Sequence, residues 1–238
     1  MSEARTTLII DADDTLWENN VHFEDATERF LDLVASRGGP RESVRSRLEM
    51  IERRNVPIHG YGSQGFTRSL LETFGEVTGL PPSEAESELI SSLGETVRNM
   101  PIEFLPDVED TLAALRRSYH LVLFTKGDFS EQSDKVHRSG AGPIFHEVEV
   151  TPEKRPDDYR RLIATHSIDR ARSWMVGNSP RSDINPALDV GLGAVYIPHA
   201  QTWTLEHEEL TAPKGARLKV VERFSELLDH FPSRDRRS

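Results

Sequence analysis

The chain has 238 residues, 36% apolar and 29% charged, with a formal net charge of -11 and no cysteine. That length suits one large domain, or a core domain carrying a smaller insertion. The acidity argues against nucleic acid or an anionic membrane as the main partner, and the lack of thiols excludes disulfides, thiolate nucleophiles and thiolate metal sites.

The first seven residues are polar and lack the apolar core of a signal peptide. No window approaches the roughly 18 apolar residues of a membrane span. The expected location is the cytoplasm. The first apolar run, 7–10, is a predicted strand that ends in Asp11-Ala12-Asp13-Asp14-Thr15. Residues two apart on an extended segment point to the same side. Asp11 and Asp13 therefore converge just past the strand, where their mutual repulsion calls for a cation. Such a pair suits phosphoryl chemistry or metal binding.

About 110 residues separate this run from the next one. The stretch carries helical periodicity at roughly 23–36, 41–54, 64–78 and 83–99. Gly38-Gly39-Pro40 and Gly79-Leu80-Pro81-Pro82 act as stops, and Ser83 with Glu86 reads as a capping box. Residues 17–103 are thus expected to form an inserted helical lobe, with Trp17, Glu18, Asn19 and His22 at its hinge. The glycine-rich segment 55–66, with His59, Tyr61 and Gln64, has two readings. It is a loop that reaches a substrate's leaving group, or an ordinary helix–helix connection.

From 104 onward, apolar runs at 121–125, 148–150, 174–176 and 194–197 alternate with helical patterns such as 108–118 and 157–166. This alternation implies right-handed crossovers and an α/β, doubly wound parallel sheet built from 1–16 and 104–231. The basic segment 232–238 is expected to be a mobile tail. The carboxyl ends of parallel strands share one edge, where ligands bind. That edge gathers Asp11, Asp13 and Thr15; then Thr125, Lys126 and Asp128; then Lys154; then Asn178, Ser179 and Asp183.

In these residues the chain resembles the haloacid dehalogenase (HAD) superfamily of hydrolases, which includes many phosphatases. The four motifs occur in order as Asp11-Ala-Asp13-Asp-Thr15, Thr125, Lys154 and Gly177-Asn-Ser-Pro-Arg-Ser-Asp183. The resemblance implies a Rossmann-like core with a helical C1 cap. It makes Asp11 the nucleophile, Asp13 the general acid and base, and Lys154 and Thr125 the groups that steady charge. Mg2+ would be held by the Asp11 side chain, the Asp13 carbonyl and Asp183. Asn178 departs from the acid that many members carry there, and it would offer a carbonyl oxygen or hold a metal-bound water.

Substrate contacts are expected from Thr125, Lys126 and Lys154, and from His59 and Tyr61 in the cap. The expected reaction is Mg2+-dependent hydrolysis of a small phosphorylated metabolite through an aspartyl phosphate, by a monomer or homodimer. A dehalogenase expels halide without needing a proton and usually lacks the second aspartate, so Asp13 favours phosphate chemistry. The other readings are a haloacid dehalogenase, a phosphomutase and a catalytically silent binding module. Asp14 is read as capping or facing solvent, Arg155 as exposed, and Thr15 as tying the acidic loop to itself. Ser179 either bonds Asp183 or begins a helix. The segment 198–203 lines the same edge or forms a surface loop anchored by Trp203. The nine histidines show no metal-ligand spacing.

Overall fold

The structure is a computed structural model that describes residues 6–232. Strand β1 (Thr7–Ile10) is buried along its whole length, which is why its apolar run does not alternate. Contacts divide the chain into two compact units. One is Asn19–Pro101, and the other joins the residues up to Glu18 with those from Ile102 onward.

The first of these units is helical, with α1 (Asn20–Ala35), α2 (Arg41–His59), α3 (Ser63–Thr78) and α4 (Glu84–Arg98). Its core is built from Phe30, Val34, Leu48, Leu70, Phe74 and Ile90. The Ser83–Glu86 capping box closes the start of α4 from both sides. At Gly94 a Cβ would lie 1.8 Å from Thr67 Oγ1, so the missing side chain is what lets α4 sit this close to α3. The segment predicted as a 55–66 loop is shorter than the sequence suggests, because α2 runs through Pro57 to His59. Proline there removes one late bond, to the carbonyl of the exposed Arg53, which water can serve. Asn55 meanwhile is buried and donates to Ser69 Oγ (3.3 Å) and Glu72 Oε2 (2.8 Å), which fastens this end of α2 to α3.

The other unit continues with α5 (Val108–Arg116), β2 (His120–Lys126), α6 (Phe129–Arg138), β3 (Glu147–Thr151) and α7 (Pro156–Thr165). After it come β4 (Trp174–Gly177), a π-helical turn at Pro180–Ile184, α8 (Asn185–Asp189), β5 (Gly193–Tyr196), β6 (Leu218–Val220) and α9 (Leu227–His230). Among the described residues the strands form one parallel sheet in the order β3-β2-β1-β4-β5-β6. Ile9, Val122, Phe124 and Met175 on one sheet face pack against Tyr159, Leu162 and Ile163 of α7.

Ile10 is in register with Leu123 on one side and Val176 on the other, so β1, β2 and β4 end at one edge. From β1 the chain builds outward to β2 and β3, then returns to place β4 on the opposite flank. That reversal makes the gap between β1 and β4 the topological switch point, the expected position of a ligand crevice. Of the tail predicted at 232–238, residues 233–238 lie outside the described residues, and the carbonyl of Pro232 accepts from Tyr119 Oη at 3.0 Å. Among the described residues no helix is long and apolar enough to cross a membrane.

Candidate active site

Asp11 follows β1 directly, and its N–H donates to Val176 O at 2.9 Å, extending the ladder toward β4. The chain then turns tightly, with the N–H groups of Thr15 and Leu16 both donating to Ala12 O. This turn returns the Thr15 hydroxyl to within 3.0 Å of Asp11 Oδ2 and 3.3 Å of Asn178 Oδ1. Thr15 thus ties the acidic loop both to itself and to the end of β4.

Lys154, two residues before the start of α7, is 3% exposed, and Asp183 is 1% exposed. The Lys154 ammonium donates to Asp11 Oδ1 (2.5 Å) and to Asp183 Oδ1 (2.8 Å). Asp183 Oδ2 also accepts from Ser179 N at 3.0 Å. Two buried carboxylates therefore share one ammonium. Burial and the charge of Asp183 push the Asp11 carboxyl up to about 7, against the pull of Lys154. Burial disfavours the Lys154 charge, but Asp11 and Asp183 together hold its pKa above the usual value. The surplus negative charge fits a hard cation bound by oxygen. Asp11, Asp183, the Asn178 Oδ1 and the Asp13 carbonyl are the oxygens that suit it.

The carboxylate of Asp13 is held differently. Its Oδ1 accepts from Trp17 Nε1 (2.8 Å) and Lys135 Nζ (3.0 Å). Its Oδ2 accepts from Gln132 Nε2 (2.9 Å) and Lys135 Nζ (2.8 Å). Burial would raise its pKa, but the charge and hydrogen bonds of Lys135, with those of Gln132 and Trp17, hold it below the usual carboxylate value.

The motif-four segment winds as a π turn, a form frequent at functional sites. The N–H groups of Asp183 and Ile184 both donate to Ser179 O, and Ser179 Oγ accepts from Ser182 N. Ser179 therefore both starts this turn and binds Asp183 through its backbone. Glu206, on a short 3-10 turn at Thr204–Glu206, braces the turn from outside by accepting from Ser179 Oγ (2.7 Å) and Ser182 Oγ (2.5 Å). Lys126 Nζ donates to Glu206 Oε1 (2.5 Å) and Ser182 Oγ (2.8 Å). Burial would raise the Glu206 pKa, but Lys126 and the two serines hold it below normal.

Thr125 is buried at the end of β2, in register with Val150. Asp128 caps α6 by accepting from Glu131 N at 3.0 Å, and Arg155 is exposed at the start of α7. His59 ends α2 and is exposed, and Tyr61 follows it, half-buried, in the helical unit. Asp14 occupies a left-handed backbone position (φ 59°). Its carboxylate lies with those of Glu18 and the ring of His199 in a group whose ligand-type atoms are all within 4.8 Å of one another. His199 Nε2 is 3.1 Å from Glu18 Oε2, and its Nδ1 accepts from Gln201 N. Sequence spacing gives no sign of this cluster, because His199 lies some 180 residues along the chain from Asp14 and Glu18, just past β5.

Lys135, Gln132 and Glu206 are the site-forming residues that the sequence motifs missed. For the first two a faint signal exists, since they stand three apart and share one face of α6.

The chain matches a family model for a haloacid dehalogenase-like hydrolase over residues 6–191. Among solved structures it is similar to a haloacid dehalogenase-like family hydrolase from Xanthomonas campestris, with 31% identity, a TM-score of 0.83, and coverage of 96% of this chain and 91% of that one. It is also similar in fold to a predicted phosphoglycolate phosphatase from Haemophilus somnus (16% identity, TM-score 0.64, coverage 97% and 99%). A third similar fold is the L-2-haloacid dehalogenase from Xanthobacter autotrophicus (18% identity, TM-score 0.65, coverage 97% and 100%). Among curated proteins, none matches the chain.

Proposed function

Because this chain belongs to the haloacid dehalogenase-like hydrolases, we propose that it hydrolyses the phosphate ester of a small metabolite, with Mg2+, through an aspartyl phosphate on Asp11. The observation that carries this reading is the second carboxylate, Asp13, built into the same loop as the nucleophile and held there by three donor side chains. Halide departs without a proton, whereas an alkoxide needs one, so a proton carrier beside the nucleophile has work only in phosphate chemistry.

In the first step an Asp11 oxygen forms a bond to phosphorus and the ester P–O bond breaks, while Asp13, having taken up the proton that a monoanionic ester brings in, passes that proton to the leaving alkoxide. In the second, water attacks phosphorus, its proton passes to Asp13, and the Asp11–phosphorus bond breaks to free inorganic phosphate. Lys154 offsets the charge on Asp11 and on the phosphate, while Thr125 and Lys126 hydrogen-bond the phosphate oxygens. Asp11, Asp183, the Asp13 carbonyl and Asn178 would hold the Mg2+, which supplies charge neutralisation when bound. The helical unit is assigned the role of cap.

One observation favours the rival reaction, dehalogenation. Asn178 stands where a further acid would strengthen a metal site, and dehalogenation needs no metal. The two readings part in one assay. With p-nitrophenyl phosphate, turnover should require Mg2+, stop with EDTA and be lost in Asp11→Asn by about 10⁴-fold or more. Chloride release from 2-chloropropionate without added metal, and no phosphate release, would replace this reading with the dehalogenase one.

A further inference from the structure

The turn that carries Asp183 is of a rare helical form, and it is held from outside. Ser179 and Ser182, both buried, donate their hydroxyls to Glu206 Oε2 (2.7 and 2.5 Å), and Arg181 between them donates to the carbonyl of the buried Leu205. Two consecutive residues of the connection between β5 and β6 thus take the side-chain donors of motif four.

A serine hydroxyl has one proton to give. Ser179 Oγ already accepts from Ser182 N (3.0 Å), and Ser182 Oγ accepts from Lys126 Nζ (2.8 Å), so each gives its single proton to Glu206. Lys126 Nζ also donates to Glu206 Oε1 (2.5 Å). Three donors therefore face Glu206, and its side chain is only 12% exposed. An ionised carboxylate accepts at both oxygens and suits them all, and those donors hold Glu206 ionised. A glutamine of the same size would turn an N–H against one of them.

Charge gives a second reason for an acid at this position. With Asn178 neutral, motif four brings one carboxylate, Asp183. Asp11 and Asp183 share the one ammonium of Lys154, which leaves one negative charge in surplus. Lys126, bonded to the residue next to Asp183, would cancel that surplus if it stood alone. Glu206 cancels Lys126 instead, and the attraction for a cation survives.

We propose that Glu206 is a positioning residue that sets the affinity of the metal site, by fixing the turn that presents Asp183 and Asn178 and by neutralising Lys126 beside it. The proposal rests on the Mg2+-dependent reading above. Partners that orient metal-ligating side chains typically change metal affinity by about 10- to 100-fold when removed.

The test is titration calorimetry of Mg2+ into the full chain at pH 8. In Glu206→Gln the dissociation constant should rise by about tenfold or more, with the number of ions bound per chain unchanged. The Mg2+ concentration that gives half-maximal turnover of p-nitrophenyl phosphate should rise by the same factor. Adding Lys126→Met removes the unopposed cation and should recover about threefold or more of the affinity. Thermal melting reports whether each variant folds. Should Glu206→Gln fail to fold, Ser182→Ala, which removes one of the hydroxyls that Glu206 holds, should raise the dissociation constant by about threefold or more. An unchanged dissociation constant, or a double variant that binds no better than Glu206→Gln, would overturn the proposal. Fewer binding-competent chains at unchanged affinity would reduce Glu206 to a structural tie and overturn it as well. A wild type that binds no Mg2+ would overturn the metal-dependent reading itself, and this proposal with it.

Discussion

Asp11 combines two demands that pull against each other. As a nucleophile it must be ionised, yet burial and the neighbouring Asp183 push its carboxyl up to about 7 despite the contact with Lys154. A carboxyl whose folded pKa lies above its ordinary 3.8 holds a proton in the native state that the unfolded chain has already lost. Its contribution to stability is therefore full below the ordinary value and falls away as pH rises toward 7. A bound cation must displace that proton, so Mg2+ affinity measured by titration calorimetry should rise roughly tenfold between about pH 6 and pH 8. In Asp11→Asn the affinity should be weak and nearly independent of pH over the same interval. A flat profile in the wild type would mean that Asp11 does not compete for the ion. The sequence announced Asp11, Asp13, Lys154 and Asp183 because their spacing from strand ends is fixed by backbone geometry. It did not announce Lys135 or Glu206, which reach their partners across 122 and 24 residues of chain.

At the level of elements, what could be read depended on whether the buried face was apolar. The strands β1, β2 and β4 are short runs with buried interiors, and their positions follow from composition alone. Helix α6 has the opposite character, since Val136 is the only hydrophobic residue among those it buries, beside Gln132 and Lys135. A helix that packs through polar contacts to a reacting group leaves no apolar period to detect. The end of α2 is hidden from the sequence for a different reason: Pro57 breaks the pattern, but the one hydrogen bond it forgoes is to the carbonyl of the exposed Arg53. The π turn after β4 is also invisible in the sequence, although one residue in it is legible afterwards. Gly177 closes β4, and a Cβ there would lie 2.3 Å from Asp183 Oδ2. Gly177→Ala should push the Asp183 carboxylate off Lys154 and lower kcat/KM by about 10²-fold, the scale of an ångström-sized misplacement. The backbone at Gly177 is not among the positive-φ positions, so the thermal midpoint should move little. A large drop in the midpoint would show that the contact matters to folding rather than to the site.

For the whole molecule, strand order turns motifs spread over some 170 residues into one edge, with Asp11 and Asp183 on either side of the β1–β4 switch point. The alternation of strands and helices implied that arrangement, because parallel crossovers allow few alternatives. Composition carries a further consequence. The net charge of -11 repels a dianionic phosphate over long range, while Lys154 and a bound Mg2+ attract it only within the site. The screening length shrinks from about 30 Å at 0.01 M salt to about 8 Å at 0.15 M, so salt weakens the distant repulsion before it weakens the buried contacts. With Mg2+ held saturating, kcat/KM for p-nitrophenyl phosphate should therefore rise by about twofold as KCl is raised across that range. Most enzymes that attract anionic substrates by a cationic surface show the reverse. A fall in kcat/KM with salt would place an attractive field at the mouth of the site, strong enough to outweigh the acidity of the chain as a whole.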